Sequence, residues 1–177
     1  MFKNWWLAIV CLFAVLFSEI SIICCRGVAR TVPYNYIALT IFTLAETYLM
    51  TMVASRYSPD LVLAAMFMTA AITLGITVYA CTTKSDFTIC GGAIFMFGFG
   101  LFMFGLFAII FHSRALYMFY CILIVFLFGF YLLFDTQLIM GGKRYEISEE
   151  DYVLGALVLY IDIIMIFIYL LRIFGNR

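Results

Sequence analysis

The chain has 177 residues, of which 67% are hydrophobic and only 11% charged, and its formal net charge is zero. Soluble domains are nearer half apolar and a quarter charged, so this composition, with a mean hydropathy of +1.17, excludes an ordinary globular protein and predicts an integral membrane protein. Balanced charge without a basic stripe also excludes nucleic acid and acidic polymers as partners.

Taken in order, the apolar runs fall at about 5–25, 36–55, 61–81, 89–111, 115–139 and 152–173. Each is close to the roughly 20 residues that a helix needs to cross the hydrocarbon. The first run opens behind Lys3 like a secretory signal, but it is too long, carries Glu19 and ends in Cys24-Cys25-Arg26 without a cleavage pattern, so it reads as a retained span. Short polar breaks join the runs, and short connections make successive helices antiparallel neighbours. The prediction is an all-α, polytopic membrane helical bundle of six spans, a single domain over 1–177.

Loop chemistry supports these limits. Pro33 and Pro59 stand where helices start, and Gly141-Gly142 follows the fifth run as a C-terminal stop. Ser148 precedes Asp151 by three positions, the spacing of a capping box for the last helix. In the fourth run Gly91, Gly98 and Gly105 recur every seven residues on one face, where small residues let a neighbouring backbone approach closely. The positive-inside rule is silent, because alternation puts Lys3, Arg56, Arg114, Arg172 and Arg177 on one side and Arg26, Arg30, Lys84, Lys143 and Arg144 on the other.

The six cysteines, Cys11, Cys24, Cys25, Cys81, Cys90 and Cys121, lack metal or redox spacing and read as small hydrophobes. The single histidine, His112, lies in a polar break and reads as a loop residue. No bound cofactor is expected.

Four of the ten acids, Glu19, Glu46, Asp135 and Asp162, fall inside apolar runs, and no Lys or Arg does. An acid in hydrocarbon must be neutralised by a proton, a cation or an arginine reaching in from a span end. Asp135 lies about 7 Å from its span exit and Asp162 about 15 Å past its span entry, at 1.5 Å per residue. Tilt, or a first turn outside the membrane, would bring them level. If they meet, they titrate as a coupled pair that responds to protons and to Ca²⁺, a hard cation that prefers carboxylate oxygens. The alternative is two separately hydrogen-bonded acids that only fix helix packing. Arg30, eleven residues past Glu19, would be about three turns away if the first helix continues through Arg26. Either arginine is then a candidate counter-charge for the acids or an ordinary interfacial anchor. Glu46 has Thr43 and Thr47 close by for local satisfaction.

The stretch FDTQLIMGGKRYEISEEDYVLGALVLYIDII, from Phe134 to Ile164, resembles the C-terminal signature of the Bax inhibitor family, in its lifeguard branch, which includes glutamate-receptor-associated and Golgi anti-apoptotic members. PYNYIALTIFTLAETY, MVASRY and TKSDFTICGG extend the resemblance over nearly the whole chain. The resemblance implies a seven-helix bundle, a pH-sensitive Ca²⁺ leak from intracellular stores and suppression of cell death. It also implies that Asp135 and Asp162 are the pH sensor and gate and transient Ca²⁺ ligands. Arg30, with Arg26 as fallback, is implied as the arginine that pairs with them, and Glu19 as the second-helix glutamate. Two departures stand out: the chain begins about where the family's second helix would, and Met165 replaces the usual Asn after Asp162-Ile163-Ile164.

Three functions follow from different classes. The leading expectation is a Ca²⁺ leak channel or exchanger, not an enzyme, in the Golgi, endoplasmic reticulum or plasma membrane, with the bilayer, protons and Ca²⁺ as its partners. The second is an interaction protein that binds apoptosis-regulating membrane proteins. The remote third is an intramembrane aspartyl protease, disfavoured because Leu159-Tyr160-Ile161 stand where Gly-x-Gly would precede Asp162.

Overall fold

A computed structural model describes residues 5–111 and 113–175. His112, read above as a loop residue, and the charged Lys3 and Arg177 lie outside the described residues. The described residues are helical without strands. The helices are α1 (Trp5–Cys24), α2 (Arg26–Arg30), α3 (Tyr34–Ala54), α4 (Pro59–Thr82), α5 (Gly91–Phe111), α6 (Arg114–Met140) and α7 (Tyr152–Gly175), with 3₁₀ turns at Thr88–Cys90 and Glu149–Asp151. Six of the seven are long and apolar enough to cross a membrane, and α2 is the exception. This is a multi-pass membrane protein, and every expected span falls within about two residues of an observed helix.

The helix ends follow their local chemistry. Pro33 caps α3 and Pro59 opens α4, where a missing N–H removes no helical bond. α6 stops because Gly141 and Gly142 both take positive φ, 70° and 71°, a conformation that L side chains rarely adopt. The capping box forms only in part. Ser148 Oγ accepts from the Glu150 N–H at 3.4 Å, while the Asp151 N–H donates to the Ser148 carbonyl and the Asp151 carboxylate turns elsewhere. The first helix also does not run on through Arg26: it ends at Cys24, and Cys25, at φ −106° and ψ 88°, separates it from α2.

Contacts divide the chain into two compact units, Met1–Ser58 with Ser148–Leu157, and Pro59–Ile147 with Val158–Arg177. In the first, α1 packs along α3, and α2 bridges them and meets the Glu149–Asp151 turn. Ile22, Phe42, Val153 and Leu157 are buried there. In the second, α6 is central, packing against both α4 and α5. Its core is Leu101, Ile124 and Leu127, flanked by Tyr120, Tyr131 and Tyr169.

The glycine stripe of α5 packs differently from the close backbone approach expected of it. Aromatic side chains of α6 cover it: a Cβ built on Gly91 would lie 3.3 Å from the Phe134 ring, one on Gly98 3.2 Å from the Tyr131 hydroxyl, and one on Gly105 3.0 Å from the Tyr120 ring. Large apolar side chains cover much of the outside, with Phe17, Met96 and Ile110 more than 70% exposed. Water would penalise such a surface, whereas lipid tails solvate it. Hydroxyls within the spans bond back to their own helix, as Ser18 does to the Ala14 carbonyl and Thr69 to Ala65, so few backbone or side-chain dipoles face hydrocarbon unmet.

Candidate functional site

The second unit brings Asp135 of α6 and Asp162 of α7 together, with their carboxyls within reach of each other. A hydrogen bond between them requires a proton on one of the two, since an ionised carboxylate can only accept. Asp162 is 4% exposed, and its Oδ2 is buried without a hydrogen-bond partner. Asp135 is half-buried, between fully buried Leu132, Leu133, Thr136 and Gln137. Thr136 does not help them, because its hydroxyl donates to the Leu132 carbonyl at 2.6 Å. The pair is therefore two neighbouring carboxyls, one of them with an oxygen of unmet capacity, in a largely apolar setting. Among the described residues no group of three or more His, Cys, Asp or Glu side chains could hold a metal ion.

The other two intramembrane acids sit in the first unit. Glu19 of α1 and Glu46 of α3 are both half-buried, and the charge of Glu19 acts on Glu46. Thr43 and Thr47 do not satisfy Glu46: their hydroxyls donate to the carbonyls of Leu39 and Thr43, one turn back.

Arg30 stands at the end of α2, and its donors are engaged at the turn before α7. Nε donates to Asp151 Oδ1 at 2.7 Å, Nη2 to Asp151 Oδ2 at 2.6 Å and Nη1 to Glu150 Oε2 at 2.9 Å. The two bonds to Asp151 form the planar fork that guanidinium and carboxylate geometry favours. The hydrogen bond to Asp151 holds the Arg30 proton more firmly than in a free arginine, so this cation stays charged at any accessible pH. Exposed Arg26 adds its charge beside Asp151. Next to this clasp, buried Asn35 donates to the Tyr152 hydroxyl at 2.8 Å, and that hydroxyl reaches Tyr36 at 3.3 Å. The partners of Arg30 were readable only as loop acids, because nothing in their spacing points back 120 residues.

Sequence reasoning also passed over Gln137, two positions beyond Asp135 and 1% exposed. Its Oε1 accepts the Phe87 N–H at 2.8 Å, and its Nε2 donates to the Ser85 carbonyl at 3.1 Å. An amide in an apolar run was the available signal. Around it the α4–α5 loop is tied to the α6–α7 loop. Lys143 Nζ donates to the carbonyls of Thr83, Lys84 and Ser85, each at 3.3 Å, and Asp86 accepts from the Thr88 hydroxyl at 2.6 Å and the Arg144 N–H at 3.1 Å. The Thr88 hydroxyl, with help from the backbone N–H groups and the Lys143 charge, holds the Asp86 carboxyl below the usual carboxylate range. Gln137 thus anchors the end of the helix that carries Asp135. The six cysteines are free, and Cys121 is buried.

Comparison with known proteins gives the wider setting. A family model described as Bax1-I, inhibitor of apoptosis-promoting Bax1, matches residues 1–177. Protein lifeguard 3 of Homo sapiens is 37% identical over 87% of this chain and 51% of its own length. Protein lifeguard 3 of Mus musculus is 37% identical over 92% of the chain and 54% of its length, and mouse Protein lifeguard 4 is 35% identical over 81% and 58%. The chain thus spans a little over half the length of these relatives. A match from the first residue to the last, on a helical membrane architecture with the lifeguard motifs in order, makes this chain a member of the Bax inhibitor family.

Proposed function

We propose that the chain is a Ca²⁺ leak pathway, a channel or exchanger of an intracellular membrane, governed by protonation of the Asp135–Asp162 pair, and that it restrains cell death. The observation that carries the reading is the buried Asp162 Oδ2, left without a partner beside a second carboxyl. Nature rarely keeps such a group in hydrocarbon, and an intramembrane acid pair is by default a site for a proton or a cation. When the shared proton leaves, two carboxylates face each other and offer oxygens to a passing Ca²⁺. When it returns, the hydrogen bond closes between them and the cation loses its ligands. The family description and the lifeguard relatives support the death-restraining part.

The test is Ca²⁺ flux through purified protein in liposomes between about pH 5 and 8, the interval in which a coupled carboxyl pair can titrate. The Asp135→Asn/Asp162→Asn double variant is run beside it. The expected outcome is a pH-dependent flux that the double variant loses. Flux with an unchanged pH profile in that variant overturns the gate.

A second reading, an interaction protein that restrains death signalling without conducting ions, draws on the name of the family, which refers to an inhibitory action and not to transport. Protection of cells from apoptosis that survives loss of both aspartates favours it over the leak.

A further inference from the structure

We propose that the second unit carries a binding groove for an anionic phospholipid, with one acyl chain lying along α5 beside Phe102, Tyr120 and Tyr169 and the phosphate held by Arg172. The groove consists of two cavities, about 350 and 270 Å³, that share the side chains of Phe102, Tyr120 and Tyr169 and so run on from one another. It extends along α5 from Phe95 to Ile109, about 21 Å at 1.5 Å per residue. One leaflet of the hydrocarbon core is about 15 Å deep, so the groove can take a lipid tail over its full depth.

Gly98 and Gly105 line it together with the α6 rings of Tyr131 and Tyr120 that lie against them. Its outer wall is apolar and faces outward, with Phe95, Phe99, Phe102 and Ile109 each more than half exposed. A trough of this kind inside a bilayer takes either a lipid tail or another helix.

Charge decides between them. At the groove's end, in the last turn of α7, the Arg172 guanidinium lies 4.9 Å from the centre of the Tyr169 ring, and no carboxylate pairs with it among the described residues. A second copy of the chain would bring a second Arg172, and so a like charge, to the contact. An anionic headgroup supplies the missing negative charge, and a basic group at the end of an interhelical groove is the recognised arrangement for binding one. Arg30 is not equivalent, since it is already neutralised by Asp151 and Glu150.

The test places a reporter in the groove of the full chain. With Trp5 and Trp6 changed to Phe, Phe102→Trp puts the fluorophore where both cavities meet, and quenching is measured in vesicles of phosphatidylcholine mixed with phosphatidylglycerol, either lipid carrying brominated tails. Phosphatidylglycerol should quench about fivefold more effectively per molecule than phosphatidylcholine, the preference expected of one arginine near the surface. Arg172→Gln should abolish the preference and Arg172→Lys should keep most of it, in samples with unchanged helical circular dichroism. Equal quenching by the two lipids in the parent overturns the proposal. So does a reporter that neither lipid quenches in a protein that runs as a dimer, because a second copy then fills the groove.

Discussion

The two acid pairs of this molecule make different use of the same chemistry. Glu19 and Glu46, on α1 and α3, are half-buried carboxyls with no hydrogen bond between them, and their threonine neighbours are occupied with their own backbone. Asp135 and Asp162, on α6 and α7, have neighbouring carboxyls, and one oxygen of Asp162 is sealed off without a partner among the described residues. Of the four acids only Asp162 is buried, at 4% exposure, whereas Glu19, Glu46 and Asp135 are half-buried. Burial, more than the number of carboxyls, is what separates a tolerated acid from a candidate switch.

The largest expected effect tests that contrast directly. Asp162→Asn should remove the pH dependence of Ca²⁺ flux in liposomes, whereas Glu46→Gln should leave it in place. Equal losses in both would erase the distinction, and equal retention would sink the aspartate gate.

The supports of the two regions differ as well. Gln137 is buried and engaged at both ends of its amide, so Gln137→Leu leaves the Phe87 N–H without its partner and takes one of two donors from the Ser85 carbonyl, and it should lower stability by about 1–3 kcal/mol. Denaturant unfolding in mixed micelles would measure it. The clasp of Arg30 is more open to water, so Arg30→Gln should speed hydrogen exchange around Glu149–Asp151 with little change in the unfolding midpoint. If the two variants unfold alike, the second unit is not the more tightly fastened one.

A smaller effect is expected at the glycine face. Gly105→Ala sets a methyl group 3.0 Å from the Tyr120 ring, an overpacking that should cost about 1 kcal/mol unless the ring turns aside. The thermal midpoint of the purified protein would show it, and Gly92→Ala, where a Cβ meets nothing within 4 Å, is the control.

The smallest concerns Asp86. Its carboxyl is held below the ordinary value of about 3.9, so its contribution is complete above that value and lost as pH falls through the lower folded value. Amide exchange at Thr88 and Arg144, followed downward from pH 5 and corrected for intrinsic rates, should lose protection only in that acidic window. Asp86→Asn should remove the pH dependence of that protection.

The spans were legible from residue chemistry alone, because a bilayer demands about 20 apolar residues wherever the chain crosses it and tolerates charge at the ends. The same demand exposed Glu19, Glu46, Asp135 and Asp162 as exceptions, and the loop residues Pro33, Pro59 and Gly141-Gly142 marked helix ends through backbone sterics that operate locally. What Arg30 would meet was not legible. Its distance from Glu19 was counted along a continuous helix, and the break at Cys25 turned it instead toward Asp151 and Glu150. Nor was the role of the α5 glycines, whose spacing gave a face but not the aromatic rings that cover it.

The sequence by itself determined the solvent, the number of crossings and which carboxyls stand in hydrocarbon, since these depend on free energies of transfer that each residue carries with it. Only tertiary structure decided that Asp135 and Asp162 come together, that Gln137 fastens the α4–α5 loop, and that Arg172 is left without a carboxylate among the described residues. Those outcomes depend on directional contacts between residues far apart in the chain, and spacing along one helix says nothing about which group on another will face it.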